Sequence, residues 1–134
     1  MTTRLNPYLS FRNSAQDAME FYRSVFGGDL SVSTFGDAGM EVGDSEKDLV
    51  MHSQLDTPTG FTLMGADTPA SMDVGTNGSI SLTGDDDAEL RAYWDALCDN
   101  CTPVVPLEKA PWGDSFGMLT DKFGVGWMVN IAGS

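Results

Sequence analysis

The sequence predicts an α+β fold of two β-α-β-β-β modules, joined into a curved mixed sheet with a concave cleft. Two observations carry this. Two amphipathic helical stretches are each preceded by a short strand pattern and followed by three more. The strands that close the two halves, "GFTLMGA" (60–66) and "GWMVNIA" (126–132), also resemble each other, with Gly, an aromatic and Ala in step. The helices repeat at an offset of about 72 residues and the closing strands at about 66, so one supersecondary unit is used twice.

The first strand is "PYLSF", and the helix "SAQDAMEFYRSVFGG" follows. Ser14 is a suitable N-cap, and Asp17 complements the helix dipole in the first turn. Ala15, Ala18, Met19, Tyr22, Val25 and Phe26 form one apolar stripe, and Gly27 and Gly28 stop the helix. Strands are then expected at about Leu30–Phe35, Leu49–Leu55 and Phe61–Gly65. Between the first two, "GDAGMEVGDSEKD" (Gly36–Asp48) lacks periodicity and reads as a mobile loop. Its acidic residues do not have the spacing of a calcium loop.

The second module opens with the strand "SISLTG" and the helix "DDDAELRAYWDALCDN". Asp86 or Asp87 caps this helix, and Leu90, Tyr93 or Trp94, Leu97 and Cys98 supply its stripe. Strands follow at about Thr102–Leu107, Phe116–Thr120 and Gly126–Ile131. The expected organisation is a single domain over 1–134, with modules at about 5–68 and 78–132. Joining two four-stranded sheets covers exposed edges and places the helices on the convex side.

Alternation sorts side chains by face. Trp127, Val129 and Ile131 are expected toward the helices, with Met128 and Asn130 toward the cleft. Met51 and Leu55 are assigned to the core, and Val50, His52 and Gln54 to the cleft. Phe61 and Leu63 are core, while Thr62 and Met64 face the cleft, joined by Leu9 and Phe11 from the first strand. A β-bulge would invert any of these assignments.

Composition narrows the function classes. Seven Lys plus Arg against 20 Asp plus Glu give a formal charge of −13. That balance disfavours nucleic acid and anionic membrane partners. No apolar run approaches the roughly 20 residues of a membrane span, and "MTTRLNPYLS" lacks a secretory core, so a cytoplasmic location is expected. Cys98 and Cys101 form one C-x-x-C at a helix end, where the dipole opposes thiolate formation. A zinc site would need further ligands, and the chain has one His.

"PYLSF", the helix after it, "MHSQL", "GFTLMGAD" and "WGDSFGMLTDKFGVGWMVNI" together resemble the PhnB-like branch of the vicinal oxygen chelate superfamily. That superfamily includes glyoxalase I, extradiol dioxygenases, fosfomycin-resistance enzymes and bleomycin-binding proteins. The most specific part is the run Trp112, Gly113, Phe116, Gly117, Asp121, Phe123, Gly124 and Trp127. The resemblance implies a glyoxalase-like fold and a homodimer. Metal-dependent members carry His, Gln or Glu on the first and last strand of each half. Here those positions fall near Pro7, Thr62, Ser79 and Met128, and a shift of one residue brings in Tyr8 or Asn130. None of these rebuilds a strong divalent site, so the expectation is no metal cofactor.

The expected function is therefore metal-free binding of a small organic ligand in an apolar cleft. Its candidate lining is Leu9, Phe11, Val50, His52, Gln54, Thr62, Met64, Trp112, Phe116, Met128 and Asn130. The alternative is a superfamily enzyme using His52 with an acidic partner, or an atypical metal site. His52, the sole histidine, reads either as general base or ligand donor, or as a half-buried structural residue. Asp67 either orients His52 or caps a turn, and Glu108 and Asp114 either reach the cleft mouth or are simply solvated. Trp112 and Phe116 in "APWGDSFG" are either a pocket wall or loop packing. Names in this branch mention a ubiquinone methyltransferase, but no glycine-rich nucleotide loop follows a strand here.

Overall fold

The first apolar stripe forms helix α1 (Ala15–Phe26), with Ala15, Ala18, Met19, Tyr22 and Phe26 buried. The computed structural model describes residues 3–39, 44–70 and 77–133. Part of the Gly36–Asp48 loop and of the segment between the modules lies outside the described residues. The chain divides into two units, Met1–Asn77 and Gly78–Ser134.

In the first unit, β1 (Tyr8–Phe11), β2 (Asp29–Thr34), β3 (Val50–Asp56) and β4 (Thr62–Asp67) make one mixed sheet in the order β1-β4-β3-β2. β1 runs parallel to β4, and the other pairs are antiparallel. The second unit repeats this with β5 (Ser79–Gly84), β6 (Thr102–Lys109), β7 (Ser115–Thr120) and β8 (Gly126–Ile131), in the order β5-β8-β7-β6. Helix α2 (Asp87–Leu97) buries Leu90, Trp94 and Leu97. Of the two alternatives, Asp86 is the cap, accepting from the Glu89 N–H at 3.0 Å. Strand limits agree with the sequence expectation within a residue or two.

Each helix covers one face of its own sheet. α1 packs on β2, β3 and β4, and α2 on β5 and β8. Close approach is possible because a glycine lies beneath each helix. A Cβ on Gly65 would meet the Met19 sulfur at 3.1 Å, and one on Gly117 would meet the Trp94 ring at 2.8 Å. Leu9, Met19, Tyr22, Leu55 and Leu63 fill the first core, and Leu97, Leu119, Trp127 and Val129 fill the second. Each such side chain contributes roughly 1.5–3 kcal/mol through removal of apolar area from water.

Several facing assignments are corrected. Leu9 and Phe11 lie in the core, because β1 sets them opposite Gly65 and Asp67 on the helix side. Tyr8 and Ser10 take the other face. Val50 is buried as well, and Met51 is only half-buried. The cause is a β-bulge: Ser33 pairs with His52 but Thr34 pairs with Val50, so Met51 is the extra residue and the alternation reverses there. Phe61 is half-buried and meets Phe26 edge-on at 5.3 Å.

Two buried aspartates tie the modules internally. Asp67 accepts from the Ala15 N–H at 2.9 Å and the Val50 N–H at 3.0 Å. It thereby supplies the α1 cap contact expected of Ser14, whose side chain makes no capping bond. In the second unit, Asp121 accepts from the backbone N–H groups of Phe123 and Val125 and from the Trp127 indole at 2.8 Å. At the edge of the first sheet, the Asn77 amide brackets Ser10, accepting from its N–H and donating to its carbonyl.

Asp121→Ala is expected to cost about 2–4 kcal/mol, because it orphans buried donors. Urea denaturation should show a lower midpoint with an unchanged slope. Trp127→Phe in the same background should show a coupling of about 1 kcal/mol in a double-mutant cycle.

Candidate functional site

With the helix sides committed to packing, exposed chemistry falls on the helix-free face of each sheet. In the first module β3 presents His52, Gln54 and Asp56 there. β4 adds Thr62 and Met64, and β1 adds Tyr8. The Tyr8 and His52 rings stack at 5.9 Å. Asp56 gathers the polar side chains, accepting from the Thr62 hydroxyl at 2.9 Å and from the Gln54 amide at 3.1 and 3.2 Å. Thr62 is buried and already partnered. Asp29 on β2 is the cross-strand partner of Asp56, so this face carries an imidazole, a phenol and a pair of carboxylates.

The second module is more apolar. Met118 and Met128 are direct cross-strand partners, as are Phe116 and Asn130. Ser81 lies on the other side of Met128, and Thr83 on the other side of Asn130. Trp112 is 63% exposed and meets Phe116 edge-on at 5.8 Å. Asp114 sits at the end of that loop. Its two oxygens accept from the Asn130 amide at 3.0 Å and from the Gly133 N–H at 2.8 Å. The Asn130 bond and then the Gly133 bond hold the Asp114 carboxyl below the usual carboxylate range.

His52, Gln54, Thr62 and Met64 are thus together on one helix-free face, and Phe116, Met128 and Asn130 on the other, with Trp112 beside Phe116. Leu9, Phe11 and Val50 are on neither, for the reasons given above. Asp67 is corrected as a partner of His52: it is 5% exposed, on the helix side, and its oxygens serve Ala15 and Val50. Two carboxylates share the face of His52: Asp29 on β2 and, on the same strand as His52, Asp56, which the sequence reading passed over. Its signal was available, since His52, Gln54 and Asp56 alternate along one strand. The Asp114–Asn130 bond had no such signal.

The side chains at the superfamily's metal positions do not fit a divalent ion. Thr62 is engaged with Asp56, Met128 offers a soft thioether, and Ser79 a neutral hydroxyl. Divalent ions in such sites are held by carboxylate oxygens or, for the borderline metals, by imidazole as well. Among the described residues, no cluster of three His, Cys, Asp or Glu is placed to hold a metal ion. No helix among them is long and apolar enough to cross a membrane.

The C-x-x-C lies where the sequence put it. Cys98 is the C-cap of α2, and its thiol is pushed up to about 12 by burial, then by the hydrogen bond and charge of Cys101 and by Asp95. Such a thiol is protonated at neutral pH.

Paired β-α-β-β-β modules, each with a helix-sealed face and a helix-free face, define the glyoxalase/bleomycin resistance type of fold. Residues 3–130 match the family model described as 3-demethylubiquinone-9 3-methyltransferase, and the chain belongs to that family, the PhnB-like branch. It is similar to the solved structure of protein PA1353 from Pseudomonas aeruginosa, with 35% identity, a TM-score of 0.88, and coverage of 99% of this chain and 100% of that one. A putative 3-demethylubiquinone-9 3-methyltransferase, PhnB protein, from Bacillus cereus is 25% identical, with a TM-score of 0.72 and coverage of 97% and 100%. A glyoxylase/bleomycin resistance protein/dioxygenase domain from Frankia shares the fold at 11% identity, with a TM-score of 0.65 and coverage of 98% of each chain.

Two measurements check these electrostatics. Iodoacetamide at pH 8 is expected to modify Cys98 in the native chain about 100-fold or more slowly than in urea, with peptide mapping as the readout. Asp114 has a depressed folded value, so its contribution is present above the unfolded carboxylate pKa and is lost as pH falls through the folded one. Asp114→Asn should accordingly flatten the acid limb of a stability–pH curve below about pH 4 and leave its shape near neutrality unchanged.

Proposed function

We propose that this chain is a small-molecule-binding protein of the glyoxalase/bleomycin-resistance type that works without a bound metal, as a homodimer. The observation that carries the reading is Met128. Where a metal-using relative would set a carboxylate, this chain sets a thioether, directly opposite a second one on Met118. Two adjacent methionines, with Phe116 two residues from Met118 along β7, make an adaptable apolar surface that moulds to an organic ligand. The acidic charge of the chain disfavours nucleic acid and anionic lipid as alternatives.

A second reading has a specific observation behind it. His52 lies on a helix-free face beside Tyr8, with Asp56 on the same strand face. That set is compatible with general acid–base chemistry on a bound ligand. Nothing in that set points to methyl transfer, and no glycine-rich nucleotide loop follows a strand in the sequence.

Elemental analysis of protein purified without chelator is expected to find divalent metal well below one equivalent. A thermal-shift screen of organic compounds should find ligands that raise Tm, since binding to the native state stabilises it. Stoichiometric metal that disappears in a Thr62→Ala or Met128→Ala variant would overturn the metal-free reading. Turnover abolished by His52→Gln with folding intact would favour the enzyme.

A further inference from the structure

We infer that the helix-free face of the second module selects a planar aromatic cation bearing exocyclic amino N–H donors, and that Asn130, held by Asp114, is its specificity-determining residue. This rests on the ligand-binding reading above and adds the class of ligand.

Asn130 faces away from the helix on β8. Its side chain carries one donor group and one acceptor, and which end faces a neighbour is decided by that neighbour. The neighbour is the Asp114 carboxylate, at 3.0 Å. A carboxylate only accepts, so the amide nitrogen is turned to Asp114 and Oδ1 is left as the acceptor for anything else. Asp114 is itself fixed through the Gly133 N–H at 2.8 Å and through its own carbonyl, which accepts from the Ala110 N–H at 2.6 Å. Its depressed carboxyl keeps it ionised across the neutral range. The face thus presents a pre-set acceptor rather than an amide free to turn either way. A ligand donor is favoured there and a ligand acceptor is not.

Around this acceptor the surface is aromatic. Phe116 is the cross-strand partner of Asn130, and Trp112 stands edge-on to it with 63% of its surface exposed. An indole left that open beside a phenyl ring is suited to a flat partner by stacking. On the far side of Phe116 its partner across β6 is Glu108, which is exposed. Phe116 therefore lies between two partners that accept but do not repel a cation: Glu108 and the Asn130–Asp114 pair. Aromatic faces flanked by negative charge attract a delocalised cation and oppose an anion. Thr83, on the other side of Asn130, adds a neutral hydroxyl and no positive charge.

Three dyes separate the components. Proflavine is a flat cation with exocyclic N–H donors, acridine orange is the same ring system with those nitrogens methylated, and fluorescein is a flat anion. Fluorescence titration of the intact chain at physiological salt, which screens diffuse attraction to the acidic surface, should give one proflavine per chain. Acridine orange is expected to bind about 10-fold more weakly, the loss of one hydrogen bond, and fluorescein not measurably. Asp114→Asn, with folding checked by circular dichroism, releases the amide and should cut the preference for proflavine below about 3-fold. Trp112→Ala, at an exposed site, should weaken both cationic dyes together. Equal binding of proflavine and acridine orange, or a preference that survives Asp114→Asn, would overturn the inference. So would a screening compound that raises Tm, ignores proflavine and is indifferent to Asn130→Ala, and in that case the binding function still stands. If no compound raises Tm at all, the binding function falls with it.

Discussion

The first module depends on one buried carboxylate. Asp67 ends β4, and its two oxygens hold the first N–H of α1 and the first N–H of β3. Without it the helix would start with an unsatisfied N–H, and β3 would lose the anchor at its bulged end. The bulge reverses the facing at the start of β3. Val50 goes to the core and His52, Gln54 and Asp56 go to the helix-free face. The bond at Val50 thus anchors the strand whose opposite side carries His52, Gln54 and Asp56. A residue that sequence reasoning proposed as catalytic positions the chain instead.

The second module solves the same problem with different parts. Its helix is capped locally by Asp86, and its buried carboxylate, Asp121, organises the turn between β7 and β8 and takes the Trp127 indole. This gives the D-x-F-G…W run a physical meaning. The aspartate satisfies the turn, and the tryptophan needs a partner for its N–H once buried. The Asp121–Trp127 half of that run is therefore a folding motif. The helix-free part lies one residue out of phase with Trp127 on β8, on β7, or in the preceding loop. Met128, Asn130, Phe116 and Trp112 occupy that part here.

Much of this was legible in the sequence, for identifiable reasons. Both helices and all eight strands among the described residues were legible because their periodicities are strong and glycines mark several ends. The facing of β8 was correct because Trp127, Val129 and Ile131 alternate cleanly with less apolar neighbours. β1 and the first two residues of β3 went wrong for opposite reasons. In "YLSF" the more apolar pair, Leu9 and Phe11, was sent to the ligand side, although burial favours that pair for the core. In β3 a single extra residue, Met51, reverses the phase, and nothing local announces it. Contacts between distant side chains were out of reach altogether. The capping of α1 by Asp67, 52 residues away, and the Asp114–Asn130 bond, 16 residues apart, exist only once the strands are registered.

Each sheet, on this view, has one side that folds the chain and one side that meets a ligand, and its methionines report on both. Met19 lies in the helix-side core, while Met64, Met118 and Met128 lie on the helix-free faces. Methyl NMR of methionine-labelled protein, titrated with a compound that raises its Tm, reads the two sides in one experiment. The expected result is displacement of the Met118 and Met128 methyl signals with Met19 unmoved. Displacement of Met19 with Met118 and Met128 unmoved would contradict the division of the sheet on which the proposed function stands.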